Sequence, residues 1–189
     1  MMNKPPAIDP PASAYFLEDR KDPIEAHTLS IVVDNEPGVL ARVIGLFSGR
    51  GYNIESLTVS ETEHEAHVSR ITIVTRGTPM VLQQIKSQLE RLVPVHSVAD
   101  LTVTGNAIER ELALVKVAGT GDHRVEALRL ADAFRARVVD ATNMSFVFEL
   151  TGKTGKVEQF IALMQPLGLV EVVRTGIAAI SRGVERLRV

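Results

Sequence analysis

Asn35, Glu36, Pro37 and Gly38 stand between an apolar run that ends at Val33 and another that begins at Val39, in the stretch VDNEPGVLA. If the first run is a strand and the second opens a helix, the N–H groups of Gly38, Val39 and Leu40 have no intrahelical partner. A carboxylate would satisfy them. The helix dipole favours an anion there by about 0.3–1 kcal/mol, and Gly38 lets a ligand approach the backbone without meeting a Cβ. Asn35, and Asn53 at the start of the next predicted strand, each add a donor and an acceptor. Two amides with free N–H groups match the zwitterionic head of an α-amino acid. Nearby apolar residues would accept an aliphatic side chain, although one methylene discriminates by only about 1–3 kcal/mol. Taken alone, the spacing favours the plainer alternative, a turn and helix cap at Asp34–Asn35.

Other fragments resemble catalytic motifs until their spacing is counted. Gly152-Lys153-Thr154 has the tail of a phosphate-binding loop but lacks the upstream glycine, so a turn and helix start is the better reading. Gly119-Thr120-Gly121 opens like a dinucleotide fingerprint, yet Arg124 holds the third glycine position. His64 and His67 lie three apart in a predicted hairpin, whereas the helical zinc motif needs four, which favours a solvated loop over a metal site. No serine sits in a Gly-x-Ser-x-Gly elbow, and the histidines show no base-and-orienter pairing. By elimination the chain reads as a binding or regulatory protein rather than an enzyme.

Composition narrows the classes further. A formal net charge of -2 supplies no general attraction for nucleic acid or an anionic membrane. Only 4% of the residues are aromatic, too few for the stacking platforms of single-stranded RNA modules. The absence of cysteine removes disulfides and thiolate chemistry and fits a reducing compartment. No apolar run is long enough to cross a bilayer and no signal peptide is evident, so the cytoplasm is the expected location.

The elements that must position these residues follow from periodicity. Residues 1–26, with five prolines and little apolar pattern, read as a mobile Pro-rich arm, with Tyr15-Phe16-Leu17 as an apolar island. Leu29, Ile31 and Val33 predict a first strand. Val39, Val43, Leu46 and Phe47 predict an amphipathic helix, with Pro37 in its first turn and Gly49 and Gly51 ending it. Strands over 53–60 and 68–75, a helix after Pro79 and a strand from Val95 to about Thr104 complete a β-α-β-β-α-β unit over 27–104. After a linker at 105–110 the order repeats over 111–189, ending in one strand from Leu169 to Ile180. The fold class is therefore α+β: two tandem ferredoxin-like units, each an antiparallel sheet with helices on one face. The near-continuous apolar runs of Leu29–Val33 and Ile71–Val74 imply that the second sheet face is covered by another domain or another chain.

Residues 28–104 resemble an ACT domain. More narrowly, VDNEPGVLARVIGLFSGRGYNIESLTVSETE (Val33–Glu63) is similar to the regulatory small subunit of acetolactate synthase, also called acetohydroxyacid synthase. RITIVTRG, KSQLERLVPVHSVADLT, ELALVKV and the TGIAAISRG ending extend the likeness to nearly everything but the arm. The resemblance implies a chain without an active site and without a cofactor of its own. Its partner would be a catalytic large subunit that uses thiamine diphosphate, magnesium and FAD to condense pyruvate with pyruvate or 2-oxobutyrate. It further implies a homodimer through the ACT domains, activation of the partner, and feedback inhibition by valine or another branched-chain amino acid. The effector residues it implies are Asn35, Gly38, Val39, Leu40, Asn53 and Ile54, shared between two protomers. The second unit has Gly119–Asp122 in place of Asn-Glu-Pro-Gly, which argues against an effector there. The rival class is a free-standing tandem ACT regulator of transcription.

Overall fold

The computed structural model describes residues 23–63, 67–103, 105 and 107–184. Most of the expected arm, with its Tyr15-Phe16-Leu17 island, lies outside the described residues, as does His64. The arm's expected last residues, Glu25 and Ala26, instead open the first strand.

The first unit runs β1 (Glu25–Asp34), α1 (Val39–Gly49), β2 (Ser56–Glu63), β3 (Val68–Gly77), α2 (Pro79–Leu89) and β4 (Val95–Asp100). Its antiparallel sheet has the order β2-β3-β1-β4, with Leu29 opposite Ile73 and Ile31 opposite Ile71. Because side chains alternate along a strand, Leu29, Ile31 and Val33 face one way, where Val39, Val43 and Phe47 of α1 and Ile85 and Leu89 of α2 close the core over them. Thr78 caps α2, its hydroxyl accepting the Val81 N–H, and Pro79 occupies the first turn, where its missing donor costs nothing.

The second unit repeats the order: β5 (Ala107–Ala118), α3 (Gly121–Ala133), β6 (Arg137–Ala141), β7 (Ser145–Gly152), α4 (Thr154–Met164) and β8 (Leu169–Arg174), with a 3-10 turn at Gln165–Leu167. Its sheet order is β6-β7-β5-β8, matching the first unit strand for strand. Ala113, Val115 and Val117 of β5 pack with Phe146, Phe148 and Leu150 of β7 under Val157, Phe160 and Met164. Phe148 meets Phe160 edge-on at 6.1 Å between ring centroids, a geometry the ring quadrupoles favour. The Gly152–Thr154 and Gly119–Gly121 fragments are a strand end or turn leading into α4 and α3.

Further boundaries depart from the periodicity, and the fourth strand, expected to run to about Thr104, ends at Asp100. The expected linker is already strand from residue 107: Ala107–Arg110 pair with β9 (Ala178–Ser181) as a two-stranded ribbon, while the rest of β5 pairs with β7 and β8. The expected single last strand is broken at Thr175–Ile177, because Gly176 turns the chain with φ 85. The second strand begins at Ser56 and extends to Glu63, leaving Asn53 and Ile54 in the approach from α1.

The ribbon answers the question of the uncovered face. Thr28, Ser30 and Val32 point away from the helices yet are buried, and the ribbon lies against that side: Thr28 Oγ1 donates to Glu109 at 2.6 Å. Thus the ribbon and the turn before it cover the part of that face that carries Thr28, Ser56 and Thr58. The outer face of the second sheet carries Leu114 and Val173, both exposed in the single chain.

Gly168, at φ 99, turns the chain into β8, and a Cβ there would lie 2.0 Å from the carbonyl oxygen of Ala118. That oxygen belongs to backbone whose own N–H bonds the Gly168 carbonyl at 2.8 Å, so neither side can yield cheaply. Gly168→Ala is expected to destabilise the protein by about 3 kcal/mol, read as a lowered urea midpoint at unchanged m-value.

Candidate functional site

The stretch between β1 and α1 is a turn before it is a helix start. The Val39 N–H bonds the Glu36 carbonyl at 3.3 Å, and Gly38 takes φ 87, ψ -6. Pro37 followed by glycine at positive φ is the signature of a type II turn. Pro37 therefore sits outside the helix rather than in its first turn, because a residue with Gly38's dihedrals cannot belong to a right-handed helix. At the other end Gly49 is helical and only Gly51 takes positive φ, at 70.

The loop is anchored on both flanks. Asp34 N–H donates to Pro94 O at 2.9 Å and Asn35 N–H to His67 O at 2.6 Å. His96 Nε2 stands 2.6 Å from Asp34 Oδ1. Asp34 is thus engaged by β4 and caps nothing in α1, which has no side-chain cap. Beyond the turn, the N–H groups of Gly38, Leu40 and Ala41 meet no acceptor among the described residues, since helical bonding begins with Arg42 N–H to Gly38 O at 3.0 Å. Three donors converge at an exposed, positively polarised helix end. Asn35 is exposed beside them, and Leu40 is 36% exposed. Val39 departs from the expectation: its N–H already bonds the Glu36 carbonyl and its side chain is buried in the core, so it adds no free donor.

Asn53 and Ile54 lie elsewhere. Thr75 Oγ1 donates to Asn53 O at 2.6 Å, and Thr75 pairs with His27, whereas the loop follows Asp34, which pairs with Val68. The seven-residue step along β1 from His27 to Asp34 amounts to about 23 Å at 3.3 Å per residue. Within one chain, therefore, Asn35, Gly38, Val39 and Leu40 form one cluster, and Asn53 with Ile54 forms another at the opposite end of the sheet. Ile54 packs partly against the core, while Asn53 is exposed.

These two ends carry a known sequence pattern. Residues 29–97 match the family model described as an AHAS small subunit-like ACT domain, and residues 110–183 match the model of the small subunit of acetolactate synthase. A probable acetolactate synthase small subunit from Archaeoglobus fulgidus is 46% identical over 83% of this chain and 97% of its own length. The chain belongs to the acetolactate synthase small-subunit family. The isozyme 3 small subunit of Escherichia coli is 44% identical over 85% of this chain and 98% of its own. The crystal structure of the Thermotoga maritima small subunit superposes with a TM-score of 0.77 at 37% identity, covering 85% of this chain and 99% of that one. The first unit of this family member is accordingly an ACT domain, a regulatory module.

The second unit's equivalent loop is built differently. Thr120 and Gly121 lead into α3, and Arg124 lies over the Phe146 ring at 3.8 Å from its centroid. On this unit's open face, the hydrogen bond from Lys116 Nζ to Glu171 at 2.6 Å, and then the lysine's charge, hold the Glu171 carboxyl below its usual range. Among the described residues no three His, Cys, Asp or Glu side chains are grouped to hold a metal, and no helix is long and apolar enough to cross a membrane. His67, one of the two histidines weighed as metal ligands, is exposed and takes φ 49.

Sequence reading missed the residues that join the units: Ser56, Thr58, Glu109, Gly176 and Ile177. The available signal was Gly176, since a glycine inside a strand-like run marks a bend or a close backbone approach.

Two measurements follow from this geometry. A Cβ on Gly38 would meet nothing within 4 Å, so Gly38→Ala is expected to cost only the positive-φ penalty, about 1 kcal/mol by urea unfolding. Because the folded carboxyl of Glu171 titrates low, its ion pair contributes above the unfolded glutamate pKa and is lost as pH falls through the folded value. A carboxyl NMR titration should show its midpoint rising in Lys116→Met.

Proposed function

We infer that this chain is the non-catalytic regulatory subunit of an acetolactate synthase, activating the catalytic subunit and conferring feedback inhibition by a branched-chain amino acid, with valine the first candidate. The observation that carries the effector part is the set of unpartnered N–H groups at Gly38, Leu40 and Ala41, open to solvent beside Asn35. An amino-acid carboxylate satisfies them, as anions at helix N-termini do. The ammonium group then needs acceptors, which the Asn35 and Asn53 side-chain carbonyls can supply.

One chain holds these groups at opposite ends of its sheet, so a complete site calls for two. β2 is an edge strand. A two-fold pairing of β2 edges runs them antiparallel, which directs the Asn53 end of one protomer toward the Asn35 loop of its partner. An effector seated there bridges two ACT domains and favours the dimer arrangement that holds both halves.

The large subunit supplies the chemistry in this reading. Thiamine diphosphate, magnesium and FAD belong to that partner, which condenses pyruvate with pyruvate or 2-oxobutyrate on the route to valine, leucine and isoleucine. Family membership supports this partnership, and no residue of the present chain is assigned a catalytic step.

Gly38→Asp tests the site, because it sets a carboxylate among the donors that would receive the ligand's own. In the reconstituted holoenzyme the expected result is loss of valine inhibition with activation kept, and calorimetry of the variant should show valine affinity reduced by at least about 10-fold. Undiminished inhibition would remove Gly38 from the site.

A further inference from the structure

The segment Thr175-Gly176-Ile177 is held by both units at once. Thr175 belongs to the second unit: its N–H donates to Leu112 O at 3.0 Å, and its hydroxyl accepts the Leu112 N–H at 3.1 Å. Ile177, two residues on, belongs to the first. Its N–H donates to Ser56 Oγ at 2.8 Å, and its carbonyl accepts from Thr58 Oγ1 at 2.8 Å. Ser56 and Thr58 are two apart on β2, so their side chains reach the same face and hold the Ile177 backbone at its N–H and its carbonyl.

Between the anchors stands Gly176, at φ 85. A Cβ there would come within 2.8 Å of Ser56 Oγ, 3.2 Å of Thr58 Cγ2 and 3.3 Å of Leu57 O. Any other residue would be strained by its dihedral and would press on the surface it touches. The fit is therefore sensitive to small movements of β2.

Ser56 is tied to the proposed effector residues by three residues of braced backbone. Asn53 O is held by Thr75 Oγ1, and Glu55 N–H donates to Val74 O at 2.8 Å. A ligand that draws Asn53 toward a partner protomer pulls on a short segment bonded to β3 at Asn53 and Glu55, just ahead of Ser56. On the far side, Thr175 passes the displacement to Leu112 of β5, the central strand under the second core.

We propose that Ser56, Thr58, Gly176 and Ile177 form a relay that carries the effector state of the ACT domain into the second unit. It rests on the effector reading of Asn35, Gly38 and Asn53, and it assigns Ser56 and Thr58 as positioning residues that touch no ligand. The Thr28–Glu109 bond holds the ribbon to the sheet alongside the relay. By linkage, the grip on Ile177 and the hold on the effector change together.

The test uses L-valine with the full-length chain and its holoenzyme. Calorimetry on the unmutated protein comes first; no binding would end the effector reading and the relay with it. With valine bound, amide exchange at Ile177 and Thr175 is expected to slow at least about 5-fold. Unchanged exchange at both would overturn the relay while leaving the effector site standing. In Ser56→Ala/Thr58→Val, valine should still saturate the protein, but inhibition of the holoenzyme at saturation should fall at least about 5-fold. Full inhibition in that variant would also overturn the relay. If the variant does not fold or bind valine, the exchange result on the unmutated chain decides.

Discussion

A strand bonded in two ladders cannot tilt in one without being felt in the other, and β5 is such a strand. Its first four residues pair with β9 against the ACT sheet, and the following eight form the centre of the second sheet. The constraint is strengthened where the units meet. Arg174 donates twice to Glu111, whose side chain is almost wholly buried, and that ion pair sits beside Thr175 at the break between β8 and β9. Breaking such a pair would leave a buried carboxylate uncompensated, so this corner of the molecule resists rearrangement. The two units are thus coupled by backbone continuity through β5 and by the hydrogen bonds joining Ser56 and Thr58 to Ile177 and Thr28 to Glu109, with the Arg174–Glu111 pair stiffening the second unit's side of that corner.

The two units share a strand order and have different tops. In the first, Pro37 and Gly38 make a turn that leaves helix donors exposed to solvent. In the second, Arg124 folds across Phe146 beside the corresponding helix, and Gly119 N–H donates to Met144 O at 3.0 Å. One topology therefore carries a Pro-Gly turn before its first helix in one unit and a Gly-Thr-Gly turn with an arginine–phenylalanine contact in the other. Local turn chemistry, at a handful of residues, separates them.

Much of the architecture was legible because it rests on period. Leu29, Ile31 and Val33 alternate, and Val39, Val43 and Phe47 recur at helical spacing, so strand and helix were readable without tertiary information. The failures cluster where a residue serves two neighbours. Ala107–Arg110 lacks the apolar density of a core strand, because its partner is a ribbon lying on another sheet. Leu169–Ile180 looked continuous, because Gly176 interrupts it for the sake of Ser56 and Thr58, more than a hundred residues earlier. Asp34 resembles a cap and instead meets His96.

For the candidate site, sequence alone indicated free donors at Gly38 and Leu40, whereas the expected Val39 N–H is bonded to Glu36 O and Ala41 takes its place. Pro37 presets φ and Gly38 permits the positive φ of the turn, and the first N–H groups of the helix lack intrahelical acceptors, effects that are local to the backbone. Only the tertiary structure decided that Asn53 lies at the other end of β1 and that Val39 is turned into the core. It also decided that Ser56 grips the Gly176–Ile177 peptide. Those facts depend on register and on which faces meet, and hydrogen bonds between distant strands set both.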